Sequence, residues 1–302
     1  MPEFFSPAVW LALAITMGAG LATVLGSLLV IFARQTNTRL LAFGLAFAGG
    51  AMVYVSLVEI FVKSQGSFGA VFPEKEAYAY ATLAFFCGVG LLVLIDRLVP
   101  NPHHGVSETE VTDELGGVPR PLGAAVAISA HHFHGDGPAA RHHAPAVDGA
   151  NRQLIARVGL MAALAITAHN LPEGLATFFA TLENPTIGLP LAMAIAIHNI
   201  PEGVSIAVPV YYATGSKGKA VLATVLSGLA EPLGALLGYL VLAPFLSDAM
   251  FGAVFGVIAG AMVFLALDEL LPAARRYAVG QETVYGIVIG MAALALSLVL
   301  FK

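Results

Sequence analysis

Eight stretches of this chain stay apolar for close to the ~20 residues that a helix needs to cross a bilayer, at 9–32, 39–62, 78–99, 155–181, 187–211, 219–243, 249–271 and 283–301. Nothing else in the sequence restricts the fold as much. Inside hydrocarbon the backbone N–H and C=O groups find no water, so a spanning segment must close its own hydrogen bonds as a helix or share them around a barrel. Barrel strands alternate apolar and polar residues over about ten positions, and these stretches do not alternate. The expected fold is therefore an all-α polytopic membrane protein of eight transmembrane helices, with the lipid bilayer as its solvent. Only 11% of residues are charged, less than half the ~25% of soluble domains.

The start, Met1-Pro2-Glu3, has no basic region, so the first apolar stretch reads as a permanent span and not as a cleaved signal. The single cysteine, Cys87, falls in the third span and has no partner in the chain, which excludes disulfides and thiolate metal clusters as organising elements. Orientation follows Lys and Arg in the short loops. Arg34, Arg39, Arg97, Arg120, Arg141, Arg152, Arg157, Lys217, Lys219, Arg275 and Arg276 flank one set of alternate loops, against Lys63, Lys75 and Lys302 on the other. This bias places both termini outside the cytoplasm.

Residues 101–153 form the one long connection, rich in Gly, Pro and His and without a helical apolar period, and read as a flexible cytoplasmic loop. It divides helices 1–3 (1–100) from helices 4–8 (154–302), which together make a single domain. His103, His104, His131, His132, His134, His142 and His143 lie in it, seven of the nine histidines. Such a segment either collects divalent metal weakly or is simply a biased linker.

Two internal repeats set the architecture. Gly50–Glu59 aligns with Gly260–Glu269 at a constant offset of 210 residues, and the odd number of crossings between them makes the copies antiparallel. HNLPEG at 169–174 recurs as HNIPEG at 198–203 on adjacent, and therefore also antiparallel, spans. Inverted repeats relating helices 1–3 to 6–8 and helix 4 to helix 5 are the pattern of a secondary transporter with its substrate site near the midplane.

The repeated hexapeptide carries the chemistry. On a helix His169 and Glu173 are i, i+4 neighbours and Asn170 and Glu173 are i, i+3 neighbours, so the carboxylate lies between two columns of ligands and can bridge two metals. His198, Asn199 and Glu202 repeat the set, and Glu231 of span six adds a third carboxylate near the same depth. An ionised residue at the bilayer centre costs at least about 2.5–3.5 kcal/mol, and no Lys or Arg occupies the centres of these spans. The compensating charge must be imported, as divalent metal or protons. Pro172 and Pro201 withhold a backbone donor from the carbonyls of Ala168 and Ile197 and should kink the helices there. The alternative use of these residues is polar glue between two kinked helices. Imidazole suits zinc and iron, while carboxylate with amide oxygen suits harder ions. Glu59 and Glu269 read as carboxylates at the mouths of the path or as helix-end residues reaching interfacial water.

HNLPEG and HNIPEG on consecutive spans, the long loop after the third span and GLAEPLG at 228–234 resemble the ZIP family of divalent metal transporters, its bacterial members above all, over nearly the whole chain. The resemblance implies uptake of Zn(II), and also Fe(II), Mn(II) and related ions such as Co(II) and Cd(II), into the cytoplasm across a bacterial inner membrane, with no catalytic cofactor. It implies one metal held by Glu173, His198 and Glu202 with His169 as a further ligand, and a second held by Asn170, Glu173, Asn199, Glu202 and Glu231. A homodimer is implied, a nucleic-acid partner is not. The chain is thus expected to be no enzyme, the competing readings being a metal-selective channel and an intramembrane metal-dependent hydrolase.

Overall fold

The computed structural model describes residues 6–32, 38–98, 167 and 170–301, and among them it contains helices and no strand. Eight helices follow in chain order. They are α1 (Pro7–Phe32), α2 (Thr38–Val55, continued through Ser56–Ile60 and Phe61–Gly69) and α3 (Glu74–Leu98). Next come α4 (described over 170–183), α5 (Pro185–Thr214) and α6 (Lys217–Leu242). Last are α7 (Asp248–Leu265, continued through Ala266–Leu270 and Leu271–Tyr277) and α8 (Glu282–Phe301). Seven of them are long and apolar enough to span a bilayer, α4 being described only in part. The chain is a multi-pass membrane protein. Its surface is the reverse of a soluble one, with Leu29, Leu83, Leu226 and Leu296 exposed while Thr16, Thr23, Ser27, Thr224 and Ser227 are buried.

The helix ends are set by local chemistry. Asn184 caps α5 by accepting from the Thr186 amide at 3.0 Å, with Pro185 supplying a fixed φ at the first turn. Gly215, at φ 65°, ends α5 in the left-handed conformation that a side chain would disfavour, and its amide closes on the Tyr211 carbonyl. Ser216 and Ser247 cap α6 and α7 in turn. Lys217 reaches the Ile31 carbonyl at the end of α1, 3.2 Å away, where a cation meets the negative end of that helix dipole.

α2 and α7 run past the lengths expected from hydropathy. The apolar count stopped α2 at 62, yet the helix continues to Gly69 because its polar residues are buried on a neighbour, Ser64 donating to the Gly252 carbonyl at 2.6 Å. Both rods contain a single π turn, at Ser56–Ile60 and at Ala266–Leu270, equivalent places in the 210-residue repeat. Glu59 and Glu269 lie on these turns. Glu59 is buried with nearly three helical turns still to follow, so it is not a helix-end residue.

Packing follows the inverted repeat. α2 pairs with α8 as α7 pairs with α3, while α1, α5 and α6 pack on one another. A side chain on Gly50 would strike the Ile287 carbonyl of α8, and one on its repeat mate Gly260 would strike the Phe85 carbonyl of α3. Gly88 and Gly290 return the relation, against Val257 of α7 and Phe47 of α2. Small residues let backbones approach where lipid tails give helices no hydrophobic reason to associate. Phe178, Phe179, Tyr239, Phe251 and Phe255 form a chain of ring contacts with centroids 5.4–6.2 Å apart that ties α4, α6 and α7 together.

Candidate metal site

Asn170, Glu173, His198, Asn199, Glu202 and Glu231, drawn from α4, α5 and α6, are all fully buried. His169 lies outside the described residues, as do Ala168 and the histidine-rich loop. α5 continues as one helix through Pro201, and α6 through Pro232, so neither proline interrupts its rod.

His198 Nε2 and Glu173 Oε1 meet at 3.0 Å across the α4–α5 interface. Glu173, His198 and Glu202 each offer a ligand atom, and these atoms lie within 4.8 Å of one another. Three atoms no farther apart than this can surround a point at most about 2.8 Å from each, within small side-chain adjustment of the zinc–ligand distances of about 2.0–2.2 Å. This trio is the set that the family resemblance implies for the first metal, His169 apart.

The asparagines are turned to present oxygen. Asn170 Nδ2 donates to the Ser227 carbonyl and hydroxyl, both at 3.1 Å. Asn199 Nδ2 donates to the Ala19 carbonyl at 3.0 Å and to Glu231 Oε1. With both amide nitrogens anchored, Asn170 Oδ1, Asn199 Oδ1 and Glu231 Oε2 are buried and have no hydrogen-bond partner among the described residues. A buried polar atom left unsatisfied costs about 1–3 kcal/mol, so three such oxygens left open on α4, α5 and α6 fit a cation. The donor set, carboxylate with amide oxygen and imidazole, is also one that divalent first-row metals accept.

The motif glycines have a role that the sequence reading passed over. A side chain on Gly174 would run into the Glu231 carbonyl, and one on Gly203 into the Thr23 carbonyl. The residue after each motif glutamate is therefore small so that α4 can lie against α6 and α5 against α1, backbone to backbone. Ser227 was also missed. It directly precedes GLAEPLG at 228–234, which matches GLATVLG at 20–26 in five of seven positions, within the inverted repeat that relates α1 to α6.

A family profile described as ZIP Zinc transporter matches residues 6–298. The chain belongs to the ZIP family. Among curated proteins it is 59% identical over 294 residues to the "Zinc transporter ZupT" of Xanthomonas axonopodis pv. citri, covering 97% of this chain and 96% of that one. It is 58% identical over 301 residues to the protein of the same name from Neisseria meningitidis serogroup C, covering 100% and 99%. The namesake from Oceanobacillus iheyensis is 45% identical over 293 residues, covering 96% and 97%. This ZIP-family chain thus spans nearly the full length of each of these relatives.

Proposed function

We propose that this protein transports divalent metal ions, zinc among them, across a bacterial inner membrane into the cytoplasm. The observation that carries the reading is the buried convergence of Glu173, His198 and Glu202 with ligand atoms within 4.8 Å, in a chain 59% identical to a protein named as a zinc transporter. Glu173, His198 and Glu202, with His169, bind one ion; Asn170, Asn199 and Glu231 join the two motif glutamates around a second. Glu173 and Glu202 bridge. The open amide oxygens extend the range of cargo to Fe(II) and Mn(II), and to Co(II) and Cd(II), because oxygen donors suit harder ions than an all-imidazole site would. The metal is substrate and not a cofactor, and the protein is no enzyme.

Both termini lie outside the cytoplasm and the 101–153 loop inside it, following the Lys and Arg bias of the loops. The test is metal flux into proteoliposomes holding the purified protein. Saturable Zn(II) flux that Glu202→Ala abolishes is the expected result. Flux that rises linearly with concentration would replace the carrier with a channel, and no flux at all would overturn the reading.

A further inference from the structure

We propose that Thr23 of α1 belongs to the metal site, as a specificity-determining hydroxyl that holds the water shell of an ion at the place where the partner repeat uses Glu231. The inference rests on the reading of the buried cluster as the metal path.

Three observations lead to it. The first is position. α1 and α6 cross at Gly20 and Gly228, where a side chain on either would meet the other's carbonyl oxygen, and a Cβ on Gly20 would come within 3.3 Å of the Glu231 Cβ. Gly203 of α5 abuts the Thr23 carbonyl as Gly174 of α4 abuts that of Glu231. Asn199 donates to the Ala19 carbonyl as Asn170 donates to that of Ser227. Every one of these pairs follows the same offsets, 208 residues between α1 and α6 and 29 between α4 and α5, and under them Thr23 and Glu231 are equivalent.

The second observation is the hydroxyl itself. Thr23 is fully buried, and its Oγ1 has no hydrogen-bond partner among the described residues. The other buried hydroxyls of α1 turn back on their own helix, Thr16 onto the Ala12 carbonyl at 2.8 Å and Ser27 onto the Val24 carbonyl at 2.7 Å. Thr23 would do likewise through its i−4 acceptor. That acceptor is Ala19, whose carbonyl is already taken by the Asn199 amide.

The third is chemistry. A neutral hydroxyl is a poor substitute for a carboxylate as a metal ligand, but it can both donate to and accept from metal-bound water. Harder ions keep more of their waters and gain more from such a group than Zn(II) does. Equally, a hydroxyl in place of a fourth carboxylate limits the charge of the site, so that the ion is not held too tightly to leave.

The test compares Thr23→Val, of similar shape without the hydroxyl, with Thr23→Ser, which keeps it, by competitive uptake of Mn(II) against Zn(II) into proteoliposomes. Thr23→Val is expected to lower the Mn(II) to Zn(II) uptake ratio about fivefold, the factor of one lost hydrogen bond, and Thr23→Ser to restore it. A ratio unchanged in Thr23→Val, or equally lowered in Thr23→Ser, would overturn the proposal. Should Thr23→Val fail to reach the membrane, Thr23→Asp decides. Titration of that purified variant with Zn(II) should show binding tightened about tenfold or more, and unchanged affinity would equally overturn it. Glu202→Ala runs beside them as control. If that variant still transports, the metal-path reading fails; if it is inactive while Thr23→Val behaves as wild type, only the role of Thr23 falls.

Discussion

Glu173→Gln is the most informative single change at the site. The amide keeps the shape of the side chain and an oxygen facing His198, 3.0 Å away, but removes one negative charge from a fully buried position. A unit charge and a divalent ion about 4 Å apart attract by about 8 kcal/mol at an effective dielectric of about 20. Desolvation of the carboxylate takes back several kcal/mol of that, so a net loss of about 3 kcal/mol, or roughly a hundredfold in affinity, is expected. The metal-free protein should not suffer, because the substitution also relieves repulsion from Glu202 and Glu231.

The two effects separate in a thermal-shift assay on purified protein. At a zinc concentration of about 100 times the wild-type Kd, binding stabilises the fold by about 2.7 kcal/mol. A hundredfold weaker site retains only about 0.4 kcal/mol of this at the same concentration. Uptake measured in parallel should fall to background. A folded Glu173→Gln protein that keeps the zinc-induced shift and near-normal flux would refute the assignment of this carboxylate to the ion.

Gly203→Ala forces a methyl group against the Thr23 carbonyl and should destabilise by about 1–3 kcal/mol or more, since backbone cannot yield as a side chain can. Gly18→Ala, which meets open space, should be neutral or gain roughly 0.5–1 kcal/mol from helix propensity, and equal melting temperatures for the two would contradict the packing described. Replacing both Asn170 and Asn199 by Ala should lower uptake of Mn(II) more than of Zn(II), which keeps His198 and the bridging carboxylates. An unchanged ratio at normal expression would limit the amides to the helix interface. Ser227→Ala removes only one of two acceptors for Asn170 and should cost about 1 kcal/mol or less; loss of transport in a well-expressed variant would mean that the hydroxyl itself is needed on the ion's path.

Hydropathy alone carried the helix count, and the two hexapeptides singled out residues of which Glu173, His198 and Glu202 bring ligand atoms within 4.8 Å of one another. The source is physical, since a polar residue in a lipid span stands out against its surroundings and HNxPEG concentrates three candidate ligands in one turn and a half. What stayed illegible was polar structure spread thinly. Thr23 and Ser227 are single hydroxyls among apolar neighbours, and a lone Thr or Ser in a span ordinarily bonds its own helix. The lengths of α2 and α7 were missed for a related reason. Lys63, Ser64 and Ser67 lower a hydropathy average, yet Ser64 and Ser67 are buried against other helices. The prolines end no helix, in keeping with spans read straight through them, because the loss of one backbone bond need not break a helix held by its neighbours.

The paired π turns belong to the repeat and not to either helix alone. A π turn carries one residue more than the α-helical register allows, and it appears mostly as a single turn inside an α-helix, frequently at a functional site. Here it falls at Ser56–Ile60 in one half and at Ala266–Leu270 in the other, at the same place in the repeat and with a glutamate at the fourth residue of each. The extra residue is therefore a feature of the three-helix unit that both halves share, in a stretch where six of ten positions are identical between Gly50–Glu59 and Gly260–Glu269.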